Sequence, residues 1–290
     1  MAAPQRRQAS ASTRSPVWRL GGAVFVVLMA LAARAQDGAP SPEPMPVHES
    51  FALDSRAIGE TRRLNVYLPP DDAGAADRRY PVLYMPDGGV AEDFPHLART
   101  LDAGIRAGEI RPMLLVGIEN TQRRRDLTPP TTVDEDRKVW PVVGHSAKFR
   151  AFIRDELMPE IARRYRVDDD RAIIGESLAG LFVVETFFES PGLFDTAIAL
   201  SPSLWWNDHQ LVRDAPARLQ RRPPSAERLY LSAADETDIA PHVATLAEAL
   251  AAHAPASLQW THAPRPDLRH DNIYRSLAPS VLRQLFAPPP

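Results

Sequence analysis

The sequence predicts an α/β domain built on a mostly parallel central sheet with helices on both faces. Three observations carry this reading. From residue 80 onward, short apolar runs of strand length alternate with stretches of helix length. Two of the runs, 80–85 and 113–118, are apolar almost throughout, as strands covered on both faces must be. A third run, 172–174, passes through Gly175 and Ser177 straight into a helical segment, 178–189. No internal repeat and no convincing linker lies past residue 47, so 48–290 reads as one domain.

Residues 1–35 are expected to stand outside that domain. Arg6, Arg7, Arg14 and Arg19 make a basic start without an acidic residue, and the apolar stretch 20–33 is short for a bilayer span. Ala33-Arg34-Ala35 fits an A-x-A cleavage site, so a signal peptide and export to the periplasm or medium are expected, with the mature chain starting near Gln36. An uncleaved anchor is the alternative. Residues 36–47, rich in proline, read as a disordered lead-in.

Cysteine is absent, which excludes disulfides, thiolate metal sites, a cysteine nucleophile and lipid attachment through a thiol. Losing the leader's five arginines moves the formal charge from −3 to −8. A domain this acidic is a poor general partner for nucleic acid or an anionic membrane, and no stable membrane association is expected after cleavage.

Along the mature chain, 51–54 and 63–68 alternate as strands do, and Pro69-Pro70-Asp71-Asp72 stops the second. The strand 80–85 ends in Pro86-Asp87-Gly88-Gly89. A helix over 94–107 carries Leu97, Leu101 and Ile105 on one stripe. After the strand 113–118 a long polar loop runs to Ser146, which can cap a helix over 148–165 that Pro159 bends. Later strands are expected at 196–200, 229–233 and 258–262, with helices near 239–252 and 273–286.

The stretch RAIIGESLAGLF (171–182) organises the chemistry. A serine at the apex of a sharp strand-to-helix turn is a nucleophile elbow, and the residues two before and two after it must be small. Gly175 meets that demand; Ala179 stands where the usual pattern has glycine, and Gly180 follows. An ordinary turn with a capping serine is the competing reading, so the rest of the chain must supply a base, an acid and an oxyanion donor.

A serine hydroxyl needs an imidazole within reach. His242, His253, His262 and His270 follow the expected acid strand, but the first two fall on a helix and His262 closes a strand. His270, in the loop 263–271 before the last helix, stands where a base belongs. For the acid, the loop after 229–233 reads Ala234-Asp235-Glu236-Thr237-Asp238. Glu236 and then Asp238 are the candidates, since Asp235 sits too near the strand end. The oxyanion should be held by the backbone N–H of Leu178 and by the Gly88-Gly89 turn, where glycine lets backbone approach a substrate. Trp205 and Trp206 suit a pocket wall that stacks on substrate, with core burial as the alternative. Arg123 and Arg125 could grip an anionic group, although a solvated arginine run would look the same. No set of His, Asp and Glu has metal-ligand spacing and no phosphate loop is present, so neither a metal nor another cofactor is expected.

These strings resemble a family: the esterase branch of the α/β-hydrolases that includes the enterobactin and related siderophore esterases and, more distantly, the esterase D type. GETRRLNVYLPP (59–70) looks like its opening strand, and YPVLYMPDG (80–88) is similar to the strand leading to its oxyanion loop. NTQRRRDLTP (120–129) and SPSLWW (201–206) are the most specific matches, and His270 falls where the family keeps its histidine. The resemblance implies an α/β-hydrolase fold and a serine hydrolase of carboxylic esters, with Ser177 as nucleophile, His270 as base and a small-molecule ester as partner. Some siderophore esterases work with a Ser-His pair alone, which leaves Glu236 and Asp238 open. Acyl transfer to another hydroxyl, or a non-catalytic binding protein on the same scaffold, are the alternatives.

Overall fold

The computed structural model describes residues 44–70 and 77–289; the expected leader and all but the end of the lead-in lie outside the described residues. The described residues form one eight-stranded sheet: β1 (His48–Ser55), β2 (Glu60–Tyr67), β3 (Tyr80–Pro86), β4 (Leu114–Ile118), β5 (Val167–Glu176), β6 (Thr196–Leu200), β7 (Arg228–Ser232) and β8 (Gln259–His262). Their spatial order is β1-β2-β4-β3-β5-β6-β7-β8. β1 pairs antiparallel with β2 and β2 antiparallel with β4, while every pairing from β4 to β8 is parallel.

The helices are α1 (Phe94–Arg106), α2 (Arg123–Leu127), α3 (Asp134–Val139), α4 (Ser146–Phe152), α5 (Met158–Arg164), α6 (Leu178–Glu189), α7 (Trp206–Gln220), α8 (Ala240–His253) and α9 (His270–Leu285). Alternation along the strands divides the apolar residues between two cores. Leu83, Met85, Ile174 and Ile198 face α1 and α9, whose Leu97, Leu101, Ile273 and Leu277 complete one core. Val82, Tyr84, Ile173 and Ala197 face the other way, against Phe149 and Phe152 of α4, Phe182 and Val183 of α6, and Leu246 of α8. Helices therefore cover both faces, as the alternation of runs requires. No helix among the described residues is long and apolar enough to cross a membrane.

Several elements differ from the sequence reading, each for a physical reason. The polar loop after β4 contains α2 and α3, too short and too charged to show an apolar stripe. The expected helix over 148–165 is three pieces. A π turn, Ile153–Leu157, separates α4 from α5, and the Met158 N–H reaches back to Ile153 O. Pro159 lies at the start of α5, where its missing N–H costs least. β5 begins at Val167, well before the apolar run, because its first residues extend to the sheet margin, where Asp168 and Asp170 are half-buried and Asp169 is exposed. α9 starts at His270 rather than 273, so the histidine is a helix residue and not a loop residue.

Candidate active site

The parallel strands β3, β5, β6 and β7 end on the same side of the sheet, and the residues just past those ends meet there. Ser177 follows β5 directly. Its φ is 60° and its ψ −121°, a conformation that non-glycine residues avoid. Three backbone bonds hold it there: the Ser177 N–H donates to Leu200 O at 3.1 Å, and its carbonyl accepts from Leu181 at 2.9 Å and Ser203 at 3.0 Å. The elbow closes because of Gly175. A Cβ at that position would stand 2.6 Å from the Ala179 carbonyl and 2.8 Å from the Ala179 methyl. The extra methyl at 179 is thus accommodated because the residue facing it has no side chain. Gly180 meets Pro202 less tightly, with a notional Cβ 3.0 Å from its Cα.

His270 opens α9, which packs on α1 behind the sheet. Its Nε2 lies 3.1 Å from Ser177 Oγ. Its Nδ1 is hydrogen-bonded to Glu236 Oε1, in the loop after β7. Glu236 Oε2 in turn accepts from Ser201 Oγ, and that same hydroxyl oxygen accepts the Ala234 N–H at 3.1 Å. Ser201 sits just past β6 with a φ of 40° and is fully buried. Ser177, His270 and Glu236 therefore form one continuous hydrogen-bonded chain in the order serine, acid, histidine along the sequence.

Asp238 does not join it. That residue is exposed, and its charge acts on His242 of α8 instead. Asp235 is exposed too, with its N–H tied to Leu268 O at 2.9 Å. His262, half-buried at the end of β8, is held toward its neutral form by burial. Ser201 and Glu176 enter the site without having been singled out as site residues. Nothing in their residue type marks them; only the register that places 176 beside 177, and 201 across from 234, does so.

The Gly88-Gly89 turn has a different role from the one its sequence suggested. Gly88 donates its N–H to Ile118 O at 3.0 Å, and a Cβ on it would lie 2.3 Å from Gly117 Cα and from Ile118 N. Glycine is required there by the close approach of the turn leaving β3 to the backbone at the end of β4, not by a substrate. The Gly89 N–H donates to Glu92 Oε2 at 2.7 Å. Both amides are committed within the protein. The Leu178 N–H stands differently: it opens α6, among the first amides of a helix that have no intrahelical carbonyl to meet.

The arginine run also divides. Arg125 is buried, bonded to Asp126 Oδ1 at 2.6 Å and to Glu60 Oε1 at 2.7 Å, beside Arg62 and its own pairing with Asp126. Its guanidinium, with Thr121 and Arg62 assisting against desolvation, holds the Glu60 carboxyl down at about 2. Arg125 therefore ties β2 to α2 and is not available to a ligand. Arg123 donates to both oxygens of Asp87, at 2.7 and 2.8 Å. Arg124, between them, is exposed and lies over the Trp140 ring, 4.7 Å from its centroid. Trp140 stacks on Trp206 at 5.6 Å and tilts against Trp205 at 5.8 Å. Trp206 is buried and donates its Nε1–H to Pro129 O at 2.9 Å, so it serves as core, whereas Trp205 is partly exposed. A cavity of about 460 Å³ is lined by Gln122, the three arginines, Trp140, Pro141 and Val142. Arg123, which lines this cavity, is also close enough to Glu176, beside the serine, for the two charges to act on each other. Among the described residues no group of His, Asp and Glu is arranged to hold a metal ion.

A serine in a left-handed elbow past the central strand, with histidine and carboxylate delivered from later strand ends, is the arrangement of an α/β-hydrolase. The chain belongs to the esterase family described as "Putative esterase", which matches residues 55–277. It is 32% identical over 193 residues to the ferri-bacillibactin esterase of Bacillus subtilis, covering 60% of this chain and 64% of that one. It is 31% identical over 206 residues to the siderophore triacetylfusarinine C esterase of Aspergillus fumigatus, with coverages of 65% and 67%. The matched stretch thus spans about two thirds of the length of these relatives. Among solved structures, an IroE-like serine hydrolase from Shewanella oneidensis superposes with a TM-score of 0.74 at 26% identity, covering 83% of this chain and 80% of that one. The BES protein of Bacillus cereus shares the fold, with a TM-score of 0.72 over 87% of this chain and 100% of its own at 20% identity.

Proposed function

We propose that the protein is a serine esterase that cleaves carboxylic esters through an acyl-enzyme on Ser177. The observation that carries this is the unbroken hydrogen-bonded chain from Ser177 Oγ to His270 to Glu236 to Ser201. Ser177 Oγ attacks the ester carbonyl carbon while His270 Nε2 takes its proton, and the C=O becomes an oxyanion held by the Leu178 N–H. The imidazolium then gives that proton to the departing alkoxide as the C–O bond breaks. Water repeats the sequence on the acyl-enzyme and releases the acid. Glu236 fixes the ring orientation and stabilises its charged form, and Ser201 fixes Glu236.

The substrate reading is an ester bearing anionic or aromatic groups, of the siderophore type that the relatives' names specify. Arg124 lying over Trp140 at the edge of the cavity supports it, because a guanidinium on an aromatic ring can meet a planar anion face to face or by its N–H groups. The basic start, short apolar core and A-x-A string of residues 1–35 support action outside the cytoplasm.

The test is hydrolysis of p-nitrophenyl acetate and butyrate by the purified protein, alongside labelling by a fluorophosphonate probe. Turnover with labelling that is lost in Ser177→Ala supports the reading. No turnover and no labelling overturns it. Faster cleavage of a tri-catecholate lactone than of neutral short-chain esters supports the siderophore-type substrate, and no preference sinks that part alone.

A further inference from the structure

His270 Nε2 has two partners at equal distance. Ser177 Oγ is 3.1 Å away and aligned as a hydrogen bond. Glu176 Oε1 is also 3.1 Å away, at ion-pair range but off the hydrogen-bond axis. That oxygen is buried and has no hydrogen-bond partner. Ester cleavage needs only the first of the two contacts. The second comes from the residue immediately before the serine, so the elbow that exposes Ser177 also sets this carboxyl against the ring that serves it.

A buried carboxylate oxygen without a hydrogen bond is costly, unless it is protonated or a cation forms beside it. The groups acting on Glu176 come from every element around it. Arg123 of α2 is a fixed cation whose charge favours the carboxylate, but its guanidinium is already bonded to both oxygens of Asp87. Asp87, past β3, and Asp93, before α1, add negative charge. Tyr274 of α9 is buried and kept a neutral phenol, chiefly by that burial, and Glu236 lies across the imidazole at Nδ1. Burial dominates this balance and pushes the Glu176 carboxyl up to about 7. Of these neighbours, the imidazole is the one whose charge changes during catalysis.

We propose that Glu176 is a proton-dependent positioning residue, which as a carboxylate holds the imidazolium of His270 at Nε2 and as a neutral acid leaves that nitrogen to Ser177. The inference rests on the reading of Ser177 and His270 as an ester-cleaving pair. A carboxylate at this distance favours the charged ring. The same proton can then sit on Glu176 or on Nε2, and the ring accepts from Ser177 only when Nε2 is free. No reagent beyond that proton is involved.

The test compares wild type with Glu176→Gln, which keeps the shape and removes the charge, and Glu176→Asp, which keeps the charge and withdraws it. In Glu176→Gln the acid limb of kcat/KM for a neutral p-nitrophenyl ester moves to lower pH by roughly one unit, and in Glu176→Asp by less. A purely structural role would change the height of the profile and leave the limb in place. Limbs of wild type and Glu176→Gln that superimpose within about 0.2 units overturn the proposal. The His270 Cε1–H resonance, assigned by its loss in His270→Asn, is titrated in parallel and needs no turnover. A midpoint that moves down in Glu176→Gln supports the coupling, and an unmoved midpoint overturns it. Absence of all esterase activity would sink the ester-cleaving reading while the resonance still decides the coupling. If Glu176→Gln does not fold, Glu176→Asp carries both measurements.

Discussion

Glu236 receives His270 by Nδ1 with one carboxylate oxygen and is itself held by Ser201 with the other. The imidazole is therefore fixed from behind by a carboxylate that cannot swing away, because the Ser201 hydroxyl is buried between Glu236 and the Ala234 amide. A support of this kind fixes the tautomer with the free lone pair on Nε2, facing the serine.

That relationship separates the acid candidates experimentally. Glu236→Gln is expected to lower kcat by roughly a hundredfold or more, in the direction seen when the acid of a triad loses its charge. Asp238→Asn, at an exposed position whose charge acts on His242, should leave kcat within about twofold, as surface changes away from a site do. Steady-state rates on one p-nitrophenyl ester decide it; equal losses in both variants would contradict the assignment.

Ser177→Ala and His270→Ala are each expected to reduce kcat by roughly a thousandfold or more, and the double variant by little further, since members of such a unit do not act additively. The measurement is kcat for the two single variants and the double. Multiplying losses would mean that the serine and histidine work independently.

The legibility of this chain follows burial. The strand-helix alternation was readable because strands covered on both faces must be apolar, and the elbow because Gly175 has no room for a side chain. The charged helices α2 and α3 were not readable, being too short to show a period. The site shows the same division. Ser177 and His270 are marked by residue type and by position past a strand end. Which of Glu236 and Asp238 meets the ring depends on a turn of two residues that no period encodes. For Gly88 and the arginines, the sequence offers the right residue types and leaves the partner unstated. Gly88 meets β4, Arg125 meets Glu60 and Asp126, and Arg124 is the one left exposed.

The arginines therefore predict opposite outcomes. Arg125→Ala removes one cation from a buried network with Arg62, Asp126 and Glu60, leaving Arg62 alone to serve both carboxylates, and should destabilise the fold by up to about 3 kcal/mol. Arg124→Ala should leave Tm within about 1 °C, consistent with an exposed residue, yet raise KM for an anionic aromatic ester more than for a neutral one. Thermal melts and KM for the two ester types in both variants make the comparison. If Arg124→Ala changes neither KM, the cavity beside Trp140 does not take substrate.

Glu176 gives a stability prediction independent of catalysis. Its carboxyl is pushed up from 4.5 to about 7, chiefly by burial, so between these values the native state keeps a proton that the unfolded chain has released. The native state then binds more protons, and stability falls as pH rises through that window. Below pH 4.5 the group is neutral in both states and contributes nothing adverse. Above about 7 its full cost is present, on the order of 3 kcal/mol as an upper bound from the size of the shift. Glu176→Gln removes the ionisation and should match wild type at pH 4, then exceed it by a margin that grows up to about pH 7 and holds beyond. Urea melts of both proteins at pH 4, 6 and 8 provide the check. A margin that is constant across the three values would show that the carboxyl is not ionising against its burial.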